Sequence, residues 1–352
     1  MEVLESIKNL SKDNGAIKSL RELLTLTQFG SEEMSRFYNF RRNIQNGQKL
    51  GWIGEMSDIG WAGAKCNPVY RTPAIDAAEK EWKIGDWSAP LKWCYEEFLG
   101  TVAEYALKQG TNIQDLTSTD IMDVVIMPAL EKAMTRMYWR FIWLGDESAT
   151  SDSLTAGVDA ELFKPCDGLF KQLFAVGAAN PSQRVNIAAN QEDTFSAQMT
   201  AIKQPGVAIG IFDSLIENAD PRIASMDGAA IMCTKSMADA LAKDLKREYK
   251  DILAWEDVVS GVRVTEYNGV MVYAISEWDR MIAKYQNNGL KVNLPHRAVF
   301  GAPSQLLVGS PADSVVSDLD VWFNKDERVV KAYLAGRLGC LIGEDDLFNL
   351  AY

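Results

Sequence analysis

The chain is poor in the residues that most enzyme chemistry needs. It holds one histidine, His296, in 352 residues. Serine or cysteine hydrolase chemistry would have to use that imidazole as its base, and nothing around it supports the role. The five cysteines (Cys66, Cys94, Cys166, Cys233 and Cys340) are odd in number, scattered and without a CxxC. That spacing argues against a disulfide framework or a zinc site, and it predicts free thiols in a reducing compartment. There is no run of about 18 apolar residues, so no membrane-spanning helix is expected. The opening MEVLESIKNLSKDNG is charged and amphipathic, with no basic start and apolar block, so no signal peptide is expected. Positive charge is scarce as well. Against 48 Asp and Glu stand 36 Lys and Arg, a net charge of −12. Gripping nucleic acid needs a basic surface, so the balance argues against tight DNA or RNA binding, though not against lying beside DNA.

Nucleotide motifs are missing too. There is no GxGxxG, and GAAIMCTKS (228–236) lacks the glycine that a phosphate loop needs before Lys235. Asp318-x-Asp320 and Glu344-Asp345-Asp346 are the tight acidic groups, and they read as solvated. The methionines at helical spacing read as core fillers. No catalytic, cofactor-binding or metal residue is assigned, and no cofactor is expected.

What is present is ordinary globular material, 47% hydrophobic and 24% charged, enough for two or three subdomains with their own cores. One stretch organises it. In DIMDVVIMPALEKAMTRMYWRFIWLG (120–145), Ile121, Val124, Val125, Leu130, Met134, Met137, Tyr138 and Phe141 recur at three- and four-residue steps, predicting one apolar helix face. Thr119 can cap its start, and Gly145 can end it in a left-handed turn. At 1.5 Å per residue it would span roughly 37 Å. Pro128 must kink it or open a second helix.

Residues 1–45 read as helical, with stripes at Val3, Leu4, Ile7, Leu10 and at Ile17, Leu20, Leu23, Leu24, then a short helix over 31–44. This arm either packs on its own chain or reaches a neighbour. From Gly47 to Pro90, glycines break the chain and Trp52, Trp61, Trp82 and Trp87 are interspersed. Such a stretch reads as a long loop or β-hairpin excursion. Exposed tryptophans suit a protein interface, so the four are candidate inter-subunit contacts; the other reading places them in the chain's own core. Trp93–Lys108 reads as helical or mixed, and DESATSDSLTAG (146–157) as a linker.

Between Leu162 and Tyr285 helices and strands alternate. Helices are expected over 193–203 and 212–218, and a strand over Ala229–Cys233 leads into a helix that Thr234 or Ser236 can cap. VRVTEY and VMVYAI flank Asn268-Gly269, a strong hairpin signal. RAVFGAPSQLLVG then reads as strand, turn, strand. LDVWFNKDERVVKAYLAGRLGCLI reads as a long hairpin turning at 324–327, although Glu327–Leu338 fits a helix nearly as well.

Three stretches, in this order, carry a resemblance. ALEKAMTRMYWRFIWLGD is similar to a spine helix with a Leu-Gly end. AAIMCTKSMADALAKDLKRE is similar to the strand, Thr/Ser cap and helix of an axial domain. TEYNGVMVYAISEWD, RAVFGAPSQLLVG and LDVWFNKDERVVKAYLAGRLGCLIGEDDLF are similar to a Tyr-x-Gly strand pair and the closing strands of a peripheral domain. Over about Gly51–Phe348 the chain thus resembles the major capsid protein of tailed bacteriophages, the Hong Kong ninety-seven fold.

The resemblance implies an α+β chain with an N-terminal helical arm (1–50), an extended loop (51–90), a peripheral domain (91–160 plus 296–352) on a spine helix at about 120–144, and an axial domain (161–295). It implies a structural protein and not an enzyme. Pentamers and hexamers of the chain would close an icosahedral shell around double-stranded DNA, without sequence-specific binding to it and without a membrane. A separate scaffolding protein, a portal and head-decoration proteins are the other implied partners. The implied location is the virion capsid, assembled in the host bacterial cytoplasm. One relative crosslinks its subunits from this loop, where Lys65, Lys80 and Lys83 lie, but no crosslink is predicted. The alternatives are an encapsulin-like compartment, the same fold around protein cargo, and an α/β enzyme of unknown chemistry.

Overall fold

The computed structural model describes residues 34–56, 59, 72, 75–94, 100, 127–250, 253–259, 261–311 and 315–352. The arm stripes before residue 34, Trp61, Thr119 and the 120–126 part of the long helix lie outside them. Where a helix was expected over 31–44, Met34–Arg36 makes one 3-10 turn and Asn39–Arg41 is a strand, β1. A long-range partner decides this. β1 pairs in parallel with Leu307–Gly309, and Phe37 and Tyr38 are buried, so tertiary pairing overrides a weak local period. Next, β2 (Lys49–Met56) and β3 (Ile75–Glu81) form a separate antiparallel hairpin. The excursion ends there. β4 (Gly85–Cys94) is a sheet strand, so Trp87–Pro90 belongs to no loop and Trp93–Cys94 is not helical.

Helix α1 (Met127–Leu144) runs unbroken through Pro128, its second described residue. Met134, Tyr138 and Phe141 are buried as their spacing predicts. Trp139, Ile142 and Trp143 are buried too, because other helices cover the far side of its last turns. Gly145 does not take the left-handed conformation. It is a glycine because the chain returns against it: a Cβ there would lie 2.4 Å from the Cys166 carbonyl oxygen. After α2 (Leu169–Ala179) and the short β5 (Arg184–Val185) come α3 (Phe195–Ala201), α4 (Val207–Glu217) and α5 (Pro221–Ala224). Then follow β6 (Ala230–Thr234), α6 (Lys235–Glu248), β7 (Glu256–Val259), β8 (Val262–Tyr267), β9 (Val270–Ile275) and α7 (Ser276–Tyr285). The chain closes with β10 (Ala298–Gly301), β11 (Leu306–Gly309), β12 (Val316–Asn324), β13 (Val329–Ile342) and β14 (Phe348–Ala351).

These strands form two larger sheets. One has the order β5-β14-β10-β6-β9-β8-β7; in the other, β1-β11-β13-β12, β4 also pairs with β13. Helices α1, α2 and α7 fill the space between the two sheets in one core, and α4 and α6 cover the far face of the seven-stranded sheet in a second. Strand β6 shows the consequence. Ala230 and Met232 enter the first core and Ile231 and Cys233 the second, so AIMCT is buried on both faces and reads as an unbroken apolar run. The β8–β9 turn is as expected: Asn268 and Gly269 have φ of 48° and 78°, the positive pair that a two-residue I′ turn requires.

At the C-terminal end, 329–338 is strand and not helix, for Val329–Leu338 pairs throughout with β4, and 327–328 belongs to the turn before it. The expected unit 296–352 is divided between the sheets. β10 and β14 join the seven-stranded sheet while β11, β12 and β13 build the other, so the chain crosses between them twice.

Candidate functional site

The β2–β3 hairpin is the feature that stands apart from both sheets, and its root shows which expected contact residues remain at a surface. Trp82 follows β3 directly and is 1% exposed. It packs with Ile44, Leu307 and Leu341, and its ring leaves no room for a side chain at Gly309, whose Cβ would lie 2.8 Å away. Trp87 is 4% exposed and meets Tyr138 of α1 edge-on at 5.8 Å. Both are buried in the chain's own core, the other of the two readings: Trp82 packs at the hairpin's root and Trp87 seats β4 on α1. A readable signal marks Trp87. Trp87, Ala89 and Leu91 alternate with Asp86, Ser88, Pro90 and Lys92, the period of a half-buried strand. Trp52 lies on β2, half-buried beside the Trp82 cluster.

Two surface aromatics were missed. On the free face of the β12–β13–β4 sheet stand Trp322, 40% exposed, and Tyr333, 39% exposed. Tyr333 pairs with Asp320 on one side and Pro90 on the other, and Trp322 pairs with Lys331, so all five share one face. Ion pairs run along it, Lys331–Glu327 at 3.0 Å, Lys92–Glu327 at 2.9 Å and Arg337–Asp86 at 2.7 Å. Aromatic rings among weak, exposed ion pairs suit a contact surface better than a reaction centre.

His296 is fully buried, as a structural histidine should be. Its Nδ1 faces the Ser236 hydroxyl at 2.9 Å and its Nε2 the Gln198 carbonyl at 3.2 Å. The serine–histidine contact has the composition of a nucleophile and its base, but burial lowers the imidazole pKa to about 4, which leaves a poor base, and Ser236 is itself buried. Asn190 and Gln198 complete the network: the Asn190 amide donates to the His296 carbonyl at 2.8 Å, and the Gln198 amide to the Asn190 and Val292 carbonyls at 3.0 Å each. The network ties α3 to the segment before β10. Beside it, Arg297 is buried with neutral acceptors, Leu294 O at 2.7 Å and Asn293 O at 2.9 Å, and lies over the Phe170 ring at 5.0 Å. Burial lowers its pKa to about 9.

An open cleft of about 610 Å³ is lined by Arg36, Tyr38, Arg42, Asp227, Tyr273 and Ser304. A smaller one, about 360 Å³, lies around Asp213, Tyr249 and Tyr267. Neither includes Ser236 or His296. Cys166, Cys233 and Cys340 are buried and Cys94 exposed, all as free thiols, while Cys66 lies outside the described residues. Among the described residues no group of three or more His, Cys, Asp or Glu could hold a metal ion, and no helix is long and apolar enough to cross a membrane.

No protein-family model matches the chain, and no curated protein matches it. Solved structures do. A chain of the satellite phage P4 procapsid, a structure that includes the size determination (Sid) protein, aligns over 95% of this chain and 98% of its own length, with a TM-score of 0.51 and 10% identity. A chain of Mycobacterium phage Ogopogo aligns over 91% of each chain, with a TM-score of 0.52 and 12% identity. The mixed α+β chain described above has the fold of these two phage chains over more than nine-tenths of its length.

Proposed function

We propose that this chain is a structural, non-enzymatic shell subunit of a tailed-phage particle, arranged in the Hong Kong ninety-seven layout. The observation that carries the reading is the end-to-end alignment with the P4 procapsid chain, which leaves almost no part of either chain unmatched. In this layout the β2–β3 hairpin is the extended loop. α1 is the described part of the spine helix, with the β4–β11–β12–β13 sheet as the peripheral domain. The seven-stranded sheet with α4 and α6 is the axial domain, and it takes in β10 and β14.

Subunits would gather as pentamers and hexamers and close around double-stranded DNA. The net charge of −12 suits a wall that encloses DNA without adhering to it. Scaffolding, portal and decoration proteins are the expected further partners, in a virion built in the host cytoplasm. Trp52, Trp61 and the Trp322–Tyr333 face are the proposed contacts. Many modest interfaces repeated with symmetry would make the shell stable without any single strong one. Electron microscopy and sedimentation of the recombinant full chain, with and without a co-expressed scaffold, provide the test. Closed shells or five- and six-membered rings are expected; a protein that stays monomeric at high concentration with its scaffold present rules the reading out.

A further inference from the structure

Beside the apolar Trp82 cluster, a charged side chain also ties the β2–β3 hairpin to the rest of the chain. Lys80, on β3, turns its ammonium toward the short crossover that carries the chain from β13 to β14. Nζ lies 2.7 Å from the Gly343 carbonyl, 3.3 Å from the Ile342 carbonyl and 2.5 Å from Asp345 Oδ1. A lysine ammonium has three hydrogens, and here each has an acceptor. Its side chain is 23% exposed, and the charge also lies 5.9 Å from the centroid of the Trp52 ring across the hairpin. Among the described residues, the other charged pair at the hairpin, Lys49–Glu79 at 2.8 Å, is internal to it and exposed, so it cannot orient the hairpin relative to anything else.

The crossover is itself a junction. Gly343 N donates to the Gln305 carbonyl at 2.6 Å, and Glu344 N to Gln305 Oε1 at 3.1 Å. At Gly343 a Cβ would lie 1.8 Å from Gln305 Oε1, so a side chain there would displace the Gln305 amide from its bond to Glu344 N. Arg222 of α5 pairs with Glu344 at 2.9 Å, and the Gln183 amide donates to the Asp345 carbonyl at 2.8 Å. Residues 342–346 thus collect contacts from the seven-stranded side (Arg222, Gln183), from the β10–β11 crossing (Gln305) and from the hairpin (Lys80).

We propose that Lys80 is a positioning residue, a latch that fixes the direction of the β2–β3 hairpin relative to the crossover between the two sheets. With the latch closed, any shift of one sheet against the other is transmitted to the hairpin. With it open, the hairpin loses its bearing on the subunit, and its two strands, no longer braced against the crossover, open more often. The latch stands on contacts within one subunit; its consequence for shell geometry rests on the function proposed above.

Hydrogen exchange on the full-length free subunit tests it, and the β8–β9 hairpin serves as internal control. Lys80→Met should raise exchange at the β2 and β3 amides about tenfold or more, the effect of losing charge-assisted bonds, and leave β8–β9 within about twofold. Lys80→Arg should recover most of the protection, and Asp345→Asn, which removes the charged acceptor alone, should fall between. Unchanged exchange at β2–β3 in Lys80→Met overturns the proposal. So does an equal rise at β8–β9, which would make Lys80 a general stabiliser. Should Lys80→Met not fold, Asp345→Asn decides alone: a rise confined to β2–β3 supports the latch, and its absence removes it. A wild-type chain that forms no shell with its scaffold defeats the shell reading and leaves the exchange result standing.

Discussion

Trp87 shows how much one residue can hold together. Its ring seats β4 on α1, and the strand behind it is so close that a Cβ at Gly336 would lie 2.7 Å from the ring. Its indole N–H has no acceptor among the described residues. The ring is therefore held by shape and apolar contact, with a small polar penalty. Trp87→Ala should cost about 3–5 kcal/mol in urea unfolding, and Trp87→Phe much less, under about 1.5 kcal/mol, because it keeps a ring and removes the unpaired donor. His296 makes a prediction in pH. The unfolded chain takes up its proton near the ordinary pKa of 6.5, the folded chain only near 4. Between these values the unfolded state binds more protons, so stability is full above pH 6.5 and is lost as the pH falls toward 4, on the order of 3 kcal/mol in all. His296→Gln should flatten that part of the stability–pH curve, measured by urea midpoints at pH 7, 5.5 and 4.5; an unchanged slope would assign the acid sensitivity to other groups.

Among the elements, α6 is capped in a way that local reading cannot find. Thr234 and Ser236 have the right chemistry and position, yet the Thr234 side chain makes no capping bond. The orphan amides of Lys235 and Ser236 donate instead to the two oxygens of Asp279, at 2.6 and 3.0 Å, from the first turn of α7 more than forty residues away. Burial raises the Asp279 pKa even as these bonds pull it down. An amide avoids that ionisation penalty and keeps one acceptor. Asp279→Ala should lower stability by about 1–2 kcal/mol and loosen the start of α6 in hydrogen exchange. Asp279→Asn should cost less than half as much; equal losses would mean that the carboxylate does something other than cap. β13 teaches the same lesson for strands. Its 329–338 half fits helix and strand about equally by spacing, and the pairing with β4 on one side and β12 on the other decides for strand.

For the whole molecule, Trp82 and Trp87 are buried and Trp52 is half-buried, while Trp61 lies outside the described residues and is carried as a proposed contact. Trp82→Ala and Trp87→Ala should unfold or markedly destabilise the isolated subunit. Trp52→Ala and Trp61→Ala should leave its melting temperature within a few degrees and lower the yield of assembled particles on a sucrose gradient severalfold. If Trp52→Ala and Trp61→Ala assemble normally, the hairpin is not the contact and the Trp322–Tyr333 face becomes the leading surface.

Much of this was determined by the sequence alone. The Asn268-Gly269 turn, the α1 face at Met134, Tyr138 and Phe141 and the β6–α6 unit follow from side-chain period and turn chemistry, which act between near neighbours in the chain. The acidic balance and the single histidine were likewise plain from composition. What only the tertiary structure decided is which distant partner each element meets. β10 and β11 are four residues apart and enter different sheets; Gly145 is a glycine because Cys166 returns against it; Trp82 and Trp87 are buried because α1 and the Gly309 strand cover them. Period tells a strand which of its faces is apolar, but the surface that covers that face is built by residues far along the chain, and only the closed fold brings them there.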